Sequence, residues 1–286
     1  MGALVVLALV LIFVALRLFG DYRWKGRSAA LEEALAVNNG PVASGGTDVF
    51  RATELEGLPE PVQRYFRRVL SEGQGMVRRV DMRQSGTFNM GQGDSDQWKP
   101  FTARQVVNPG LPGFLWDARI SMMPLLPVRV HDAYIGGEGI LHGALLGLIT
   151  VAEMRGTPEA AQGEFLRFLA EAPWYPTALL PSQGAEWSAV DEQSARVSLS
   201  DGNVSGDMLV RFNENDLIES IHVDARGREV DGEVVATPWE GEWRDYERRA
   251  GMLVPTAGEA AWILPDRRKP YWRGTVTELS YRFESG

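Results

Sequence analysis

The sequence predicts an α+β protein: one large curved antiparallel β-sheet with two or three packing helices, preceded by an N-terminal transmembrane helix. Three observations predict it. Residues 3 to 16 are all apolar, and after Arg17 the run resumes with Leu18 and Phe19. From about residue 76, apolar and polar residues alternate with the period of two that marks strands buried on one face. The segments between these alternating runs are short and rich in turn residues, so consecutive strands run antiparallel.

Taken in order, the apolar run comes first. As a helix rising ~1.5 Å per residue, its seventeen positions cover about 25 Å, the short side of a bilayer core, and Arg17 near its end can snorkel to headgroup level. No positive residue precedes it and no small-x-small site follows, so residues 3–19 read as a retained anchor and not as a removed signal. Arg17, Arg23, Lys25 and Arg27 all follow the span, which by the positive-inside rule places the body in the cytoplasm. Residues 20–49 read as a short helix and a linker: Ser28 to Val37 with Ser28 as N-cap, then the Gly-, Pro- and Asn-rich stretch from Asn38 to Asp48.

Residues 50–286 read as a single domain. Pro59 takes the place of a first helical residue, Val62, Tyr65, Phe66, Val69 and Leu70 recur at helical spacing, and Gly73 stops the helix. Phe114, Trp116, Ala118, Ile120 and Met122 then alternate with Leu115, Asp117, Arg119 and Ser121. Val128, Val130, Asp132 and Tyr134 form the alternate set of a second strand, joined to the first by a loop from Met123 to Pro127. Similar alternation runs through 195–199, 208–212, 221–223 and 277–283. One helix interrupts the strands: Thr157 as N-cap, Pro158 at its first position, then Phe165, Phe168, Leu169 and Ala172 on one face, ended by Pro173. The total comes to roughly eight to ten strands in a meander.

Composition narrows the function. With 44% hydrophobic and 23% charged residues the chain is globular in character, and its net charge of −9 lacks the basic footprint of a nucleic-acid binder. The absence of cysteine excludes disulfides and thiolate chemistry. His131, His142 and His222 do not have zinc-site spacing, and Asp201, Asn203, Ser205 and Gly206 open like a calcium loop whose twelfth position is Phe212, so no metal is expected. No nucleophile elbow, phosphate loop or dinucleotide fingerprint occurs, and no cofactor is expected.

Two acids stand out. Asp132 shares the face of Val128, Val130 and Tyr134, where it is either a poised acid in a ligand cavity or a carboxylate paired with a buried arginine. Glu171 lies in the last turn of its helix against the macrodipole, so it needs a compensating partner: a salt bridge, or a hydrogen bond to Trp174 or Trp187. The stretch from Ile140 to Val151 is too short to span a bilayer and too apolar for an open loop, so it is either a covered core segment or a flap on a hydrophobic cavity or membrane. Trp239, Trp243, Trp262 and Trp272 sit near Pro, Gly and charge, as interface rings or as core.

The segments FLAEAPWYPTALLP (Phe168 to Pro181), TPWEGEWRDYERRAGMLVP (Thr237 to Pro255) and PYWRGTVTELSY (Pro270 to Tyr281) resemble an uncharacterised family of bacterial proteins that have an N-terminal membrane anchor and a domain of unknown function. The likeness runs from about Leu58 to Tyr281 and brings no reaction with it. The strand-rich body resembles the half-barrel of lipoprotein-carrier (LolA-like) proteins, in which a curved sheet wraps helices around a greasy cavity. That resemblance implies a body outside the cytoplasm, opposite to the charge flank. The reading that follows is a membrane-tethered protein binding a lipid-like hydrophobic ligand, with Phe114, Trp116, Tyr134 and Leu145 lining the cavity. Its rivals are an enzyme using Asp132 and Glu171 as acid and base, and a structural partner in an envelope complex.

Overall fold

In the computed structural model, which describes residues 1–37, 48–91, 95–230 and 232–283, the apolar run is the first half of one unbroken helix, α1 (Gly2–Val37). The separate helix expected from Ser28 is merged into it. No proline lies between Phe19 and Ser28, and Ser28 does not cap: its hydroxyl donates 2.6 Å to the Asp117 carboxylate. The expected linker from Asn38 lies, as far as residue 47, outside the described residues. The next helix, α2 (Glu60–Val69), begins one position later than expected, with Pro59 as its N-cap, and buries Val62, Tyr65, Phe66 and Val69.

Six strands follow: β1 (Val77–Asn89), β2 (Trp98–Asn108), β3 (Gly113–Met123), β4 (Leu126–Ile135), β5 (Glu138–Leu145) and β6 (Ile149–Arg155). Helix α3 (Pro158–Ala170) comes next, with the Thr157 hydroxyl accepting from the Ala160 amide at 3.1 Å, as its sequence predicts. Short 3-10 turns fill residues 172 to 183. The second run comprises β7 (Glu186–Asp191), β8 (Ser194–Asp201), β9 (Val204–Phe212), β10 (Ile218–Val230), β11 (Glu233–Arg249), β12 (Met252–Ile263) and β13 (Arg268–Phe283).

All these strands belong to one antiparallel sheet, ordered β6-β5-β4-β3-β2-β1-β13-β12-β11-β10-β9-β8-β7. It is two meanders joined side by side through the β1–β13 pair. The thirteen strands outnumber those read from alternation, because several carry no clean period of two. β12 is buried on both faces along much of its length, and β13 begins with Arg268 and Lys269. The hairpin between β3 and β4 is also tighter than expected. Met123 pairs with Leu126, so the turn is Pro124–Leu125, with Leu125 at φ 67°.

Curvature has a visible source. Gly86, Gly274 and Gly258 occupy one cross-strand row on β1, β13 and β12. A Cβ on Gly86 would stand 1.9 Å from the Arg273 carbonyl, so only glycine lets the neighbouring strand approach this closely. The inner face of the sheet closes on α3, α2 and the 3-10 turns, forming the main core around Phe114, Phe165, Phe168 and Tyr175. The outer face carries the second half of α1. Leu35 packs there on Val106, Leu115, Ala133, Ile135 and Ile140, and Trp24 Nε1 donates 2.8 Å to Asp117. Glu32 accepts from Arg79 at 2.8 Å and from Arg104 at 2.7 Å, which fixes the helix across the strands.

The stretch from Ile140 to Val151 forms most of the β5–β6 hairpin. It is a core segment only in part: Ile140 and Ala144 are buried, whereas Ile149 is 63% and Val151 57% exposed.

Candidate functional site

Between α3 and the inner face lies a cavity of about 850 Å³. Its walls combine aromatic rings with a buried ionic network. Trp116 enters from β3, Trp239 and Trp243 from β11, Trp262 from β12, Tyr271 and Trp272 from β13, and Trp174 from the turn after α3. Glycine makes this lining possible. A Cβ at Gly258 would meet the Trp243 ring at 2.7 Å, and one at Gly274 would meet Trp272 at 2.2 Å, so each indole lies across a residue without a side chain.

The ionic groups come chiefly from α3 and its C-cap, where Glu164, Arg167 and Glu171 follow one another at helical spacing on the side facing the sheet. Arg167 is the hub. It ion-pairs with Asp132 on β4 and, at 2.8 Å, with Glu171, while its guanidinium lies 4.9 Å over Phe114 and 5.1 Å over Trp116. A guanidinium suits this place because it pairs in its plane and stacks on its faces. Glu171 also accepts from Gln105, which accepts from Gln84 at 3.1 Å; Gln84 accepts in turn from Trp116 Nε1 at 2.8 Å.

Arg226 on β10 forms a second hub. It donates 3.2 Å to the Gly163 carbonyl and 3.2 Å to the Tyr271 hydroxyl, stands 3.7 Å from Glu164, and lies over Trp239 and Trp262. Burial is costly for Arg226 and Arg167, yet the surrounding acids hold the charge on both. Glu164 goes the other way. Burial, reinforced by the charge of Asp132, pushes its carboxyl well above the ordinary carboxylate range, against the pull of Arg226 and Arg167. A neutral Glu164 can donate a hydrogen bond to Asp132.

Four buried polar atoms at this cavity lack a partner within the protein. Two are acceptors, Asp132 Oδ1 and Glu164 Oε2, which one proton held between them satisfies in part. Two are donors, the indole N–H groups of Trp174 and Trp243, whose rings meet edge to face at 4.8 Å. Unpaired buried polar groups such as these are rare and costly.

Of the residues singled out in the sequence, Trp116, Asp132 and Glu171 are brought together at the cavity, with Trp239, Trp243, Trp262 and Trp272. Asp132 has the buried arginine that its paired reading requires; Glu171 is compensated by Arg167 and Gln105, while Trp187 donates instead to the Leu179 carbonyl. Phe114 and Tyr134 share the same face but are fully buried, Phe114 beneath Arg167 and Tyr134 donating 2.8 Å to Asp201. Leu145 lies further along that face, paired with Val128 and Ile149 beside the β5–β6 turn and outside the cavity. Sequence reading passed over Glu164, Arg167 and Arg226. The signal for the first two was available: with Glu171 they make a charged stripe at helical spacing beside the apolar face of Phe165, Phe168 and Leu169.

His131 and His142, far from zinc spacing in the sequence, are cross-strand partners on the outer face, with Trp24 stacked 3.9 Å from the His131 ring. Among the described residues, no group of three His, Cys, Asp or Glu is placed to hold a metal ion.

Fold and site together define a half-barrel of antiparallel strands around an aromatic-walled, internally charged cavity. The chain belongs to a family of unknown function, DUF6920, whose model matches residues 56–281. Solved structures resemble it, two of them as follows. A LolA superfamily protein from Nitrosomonas europaea shares 10% identity over 73% of this chain and 88% of its own, with a TM-score of 0.37. A beta-barrel-like protein of the domain of unknown function DUF1849 from Brucella abortus shares 10% identity over 72% of this chain and 98% of its own, with a TM-score of 0.22. No curated protein matches the chain.

Proposed function

We propose that this protein is a membrane-tethered binding protein for a lipid-like amphiphile, held between the inner face of the sheet and α3. The cavity carries the reading. Its volume of about 850 Å³ suits a ligand of lipid-fragment size. Its indole walls suit apolar chains, and the charged residues Arg167, Arg226 and Asp132 among its lining suit a ligand that also carries polar groups. The tether is α1, the one helix among the described residues long and apolar enough to cross a membrane.

The test is native mass spectrometry of the full chain in detergent, with organic extraction of whatever copurifies. An amphiphile at near-stoichiometric occupancy, lost on Trp243→Ala, is expected. A cavity that releases no organic molecule and takes none up from added lipid would sink the proposal. The acid–base reading of Asp132 and Glu171 is less well supported, since both acids share one guanidinium in the manner of a structural ion network.

A further inference from the structure

Where α1 leaves its apolar stretch, it does not run free. It lies immediately against two hairpin turns, Pro124–Leu125 between β3 and β4 and Leu146–Leu148 between β5 and β6. Arg17 donates 3.1 Å to the Leu125 carbonyl. Gly20 sits so near the second turn that a Cβ there would stand 2.1 Å from the Leu146 carbonyl. Asp21 ion-pairs with Arg129 on β4. Positions 17, 20, 21 and 24 share one helix face, so the turns stand level with the last turn of the apolar run and not beyond it.

The side chains at these tips are apolar and uncovered. In the chain after α1, seven large hydrophobic residues are exposed among those described, and four of them, Met123, Leu125, Ile149 and Val151, are here, 57 to 65% accessible. Both turns also keep a leucine in the left-handed region, Leu125 at φ 67° and Leu146 at φ 53°, where glycine or asparagine would form the turn more easily. Arg23, Lys25 and Arg27 follow at headgroup height.

We propose that these two hairpin turns form a lip embedded in the bilayer that α1 spans, with acyl chains as its occupant. The proposal rests on the tether reading. It also gives the cavity a route. Residues paired across strands share a face, and the inner-face rows run from Leu141 and Met154 at the cavity, through Gly143 and Ala152, to Leu145 and Ile149 at the lip, with no charged side chain among them. An amphiphile can pass along this track from the membrane to the cavity without entering water.

Because the chain has no cysteine, one introduced cysteine gives one label. Full-length Leu11→Cys, Leu125→Cys, Val151→Cys and Val190→Cys, each carrying an environment-sensitive fluorophore, are reconstituted in phosphatidylcholine–phosphatidylglycerol nanodiscs with brominated acyl chains. Labels at 11, 125 and 151 are expected to shift to the blue and lose emission to bromine, while the label at 190, on a distant hairpin, does neither. Quenching at 11 with none at 125 and 151 overturns the lip and leaves the tether standing. No quenching at 11 overturns the tether, and the lip with it. Equal quenching at 190 overturns the lip too, since the whole body then lies on the membrane.

Discussion

Arg167 is the residue on which the cavity's charges depend, because it alone joins Asp132 to Glu171 while capping Phe114 and Trp116. Replacing it by methionine keeps the stem and removes the charge, leaving two acids buried without their shared partner. Arg167→Met is expected to lose about 3–5 kcal/mol, read as a lowered midpoint of chemical unfolding. Glu164 makes a subtler prediction. Its folded carboxyl titrates well above its ordinary value of 4.5, so over that window the native state keeps a proton that the unfolded chain has released. Stability therefore falls as pH rises above about 4.5. Glu164→Gln cannot lose that proton, and unfolding midpoints measured across a pH series should show a flatter decline than in the parent chain. A variant with the parent's slope would show that Glu164 does not hold the proton.

At the scale of elements, α1 is held to the sheet by a succession of small contacts instead of a broad apolar face, and the closest is at Gly20. A valine there has no room beside the Leu146 carbonyl. Gly20→Val is expected to lift the helix from the β5–β6 turn, seen as faster hydrogen exchange at the amides of residues 146 to 148 with the rest of the sheet unchanged. Glu32 contributes lower down. Its hydrogen bonds and charge contacts with Arg104 and Arg79 bring its carboxyl down to about 2. Its contribution is thus present above pH 4.5 and lost as pH falls toward 2, and partial exposure keeps it below about 1 kcal/mol. The start of α3 was legible to the residue, because Thr157 and Pro158 are local signals that need no partner, whereas the helix ends at Ala170, short of the expected stop at Pro173. Sequence alone split α1 in two because Ser28 is a good N-cap by type, and only its neighbour Asp117, 89 residues away, shows what its hydroxyl does instead.

For the whole molecule, the legible part was the order of neighbouring strands, since short turns force hairpins. The β1–β13 pair was not legible, for nothing in either strand names a partner so far off in sequence. The site divides the same way. Asp132 stood out by its place in an alternating strand, whereas Arg226 on the far meander reaches Glu164 only because the sheet curls around α3. The glycine row makes room for the cavity's indoles, which yields a test at this scale. Gly274→Ala puts a methyl where the Trp272 ring lies, so the indole is expected to swing from the cavity wall, changing near-ultraviolet circular dichroism and lowering the amount of copurified amphiphile. Unchanged ligand content would mean that Trp272 does not shape the cavity.

The seam between β1 and β13 also sets a timetable. Ser280 bonds to the backbone of Asp81, 199 residues earlier, so a strand in the middle of the sheet is the last of the thirteen to leave the ribosome. Until then each meander shows the translation machinery an open border of unpaired amides, the kind of edge that invites mispairing. α1 emerges before every strand, and on the tether proposed above a nascent chain moored early at the lipid surface would wait there for its closing strand, kept apart from other half-made copies.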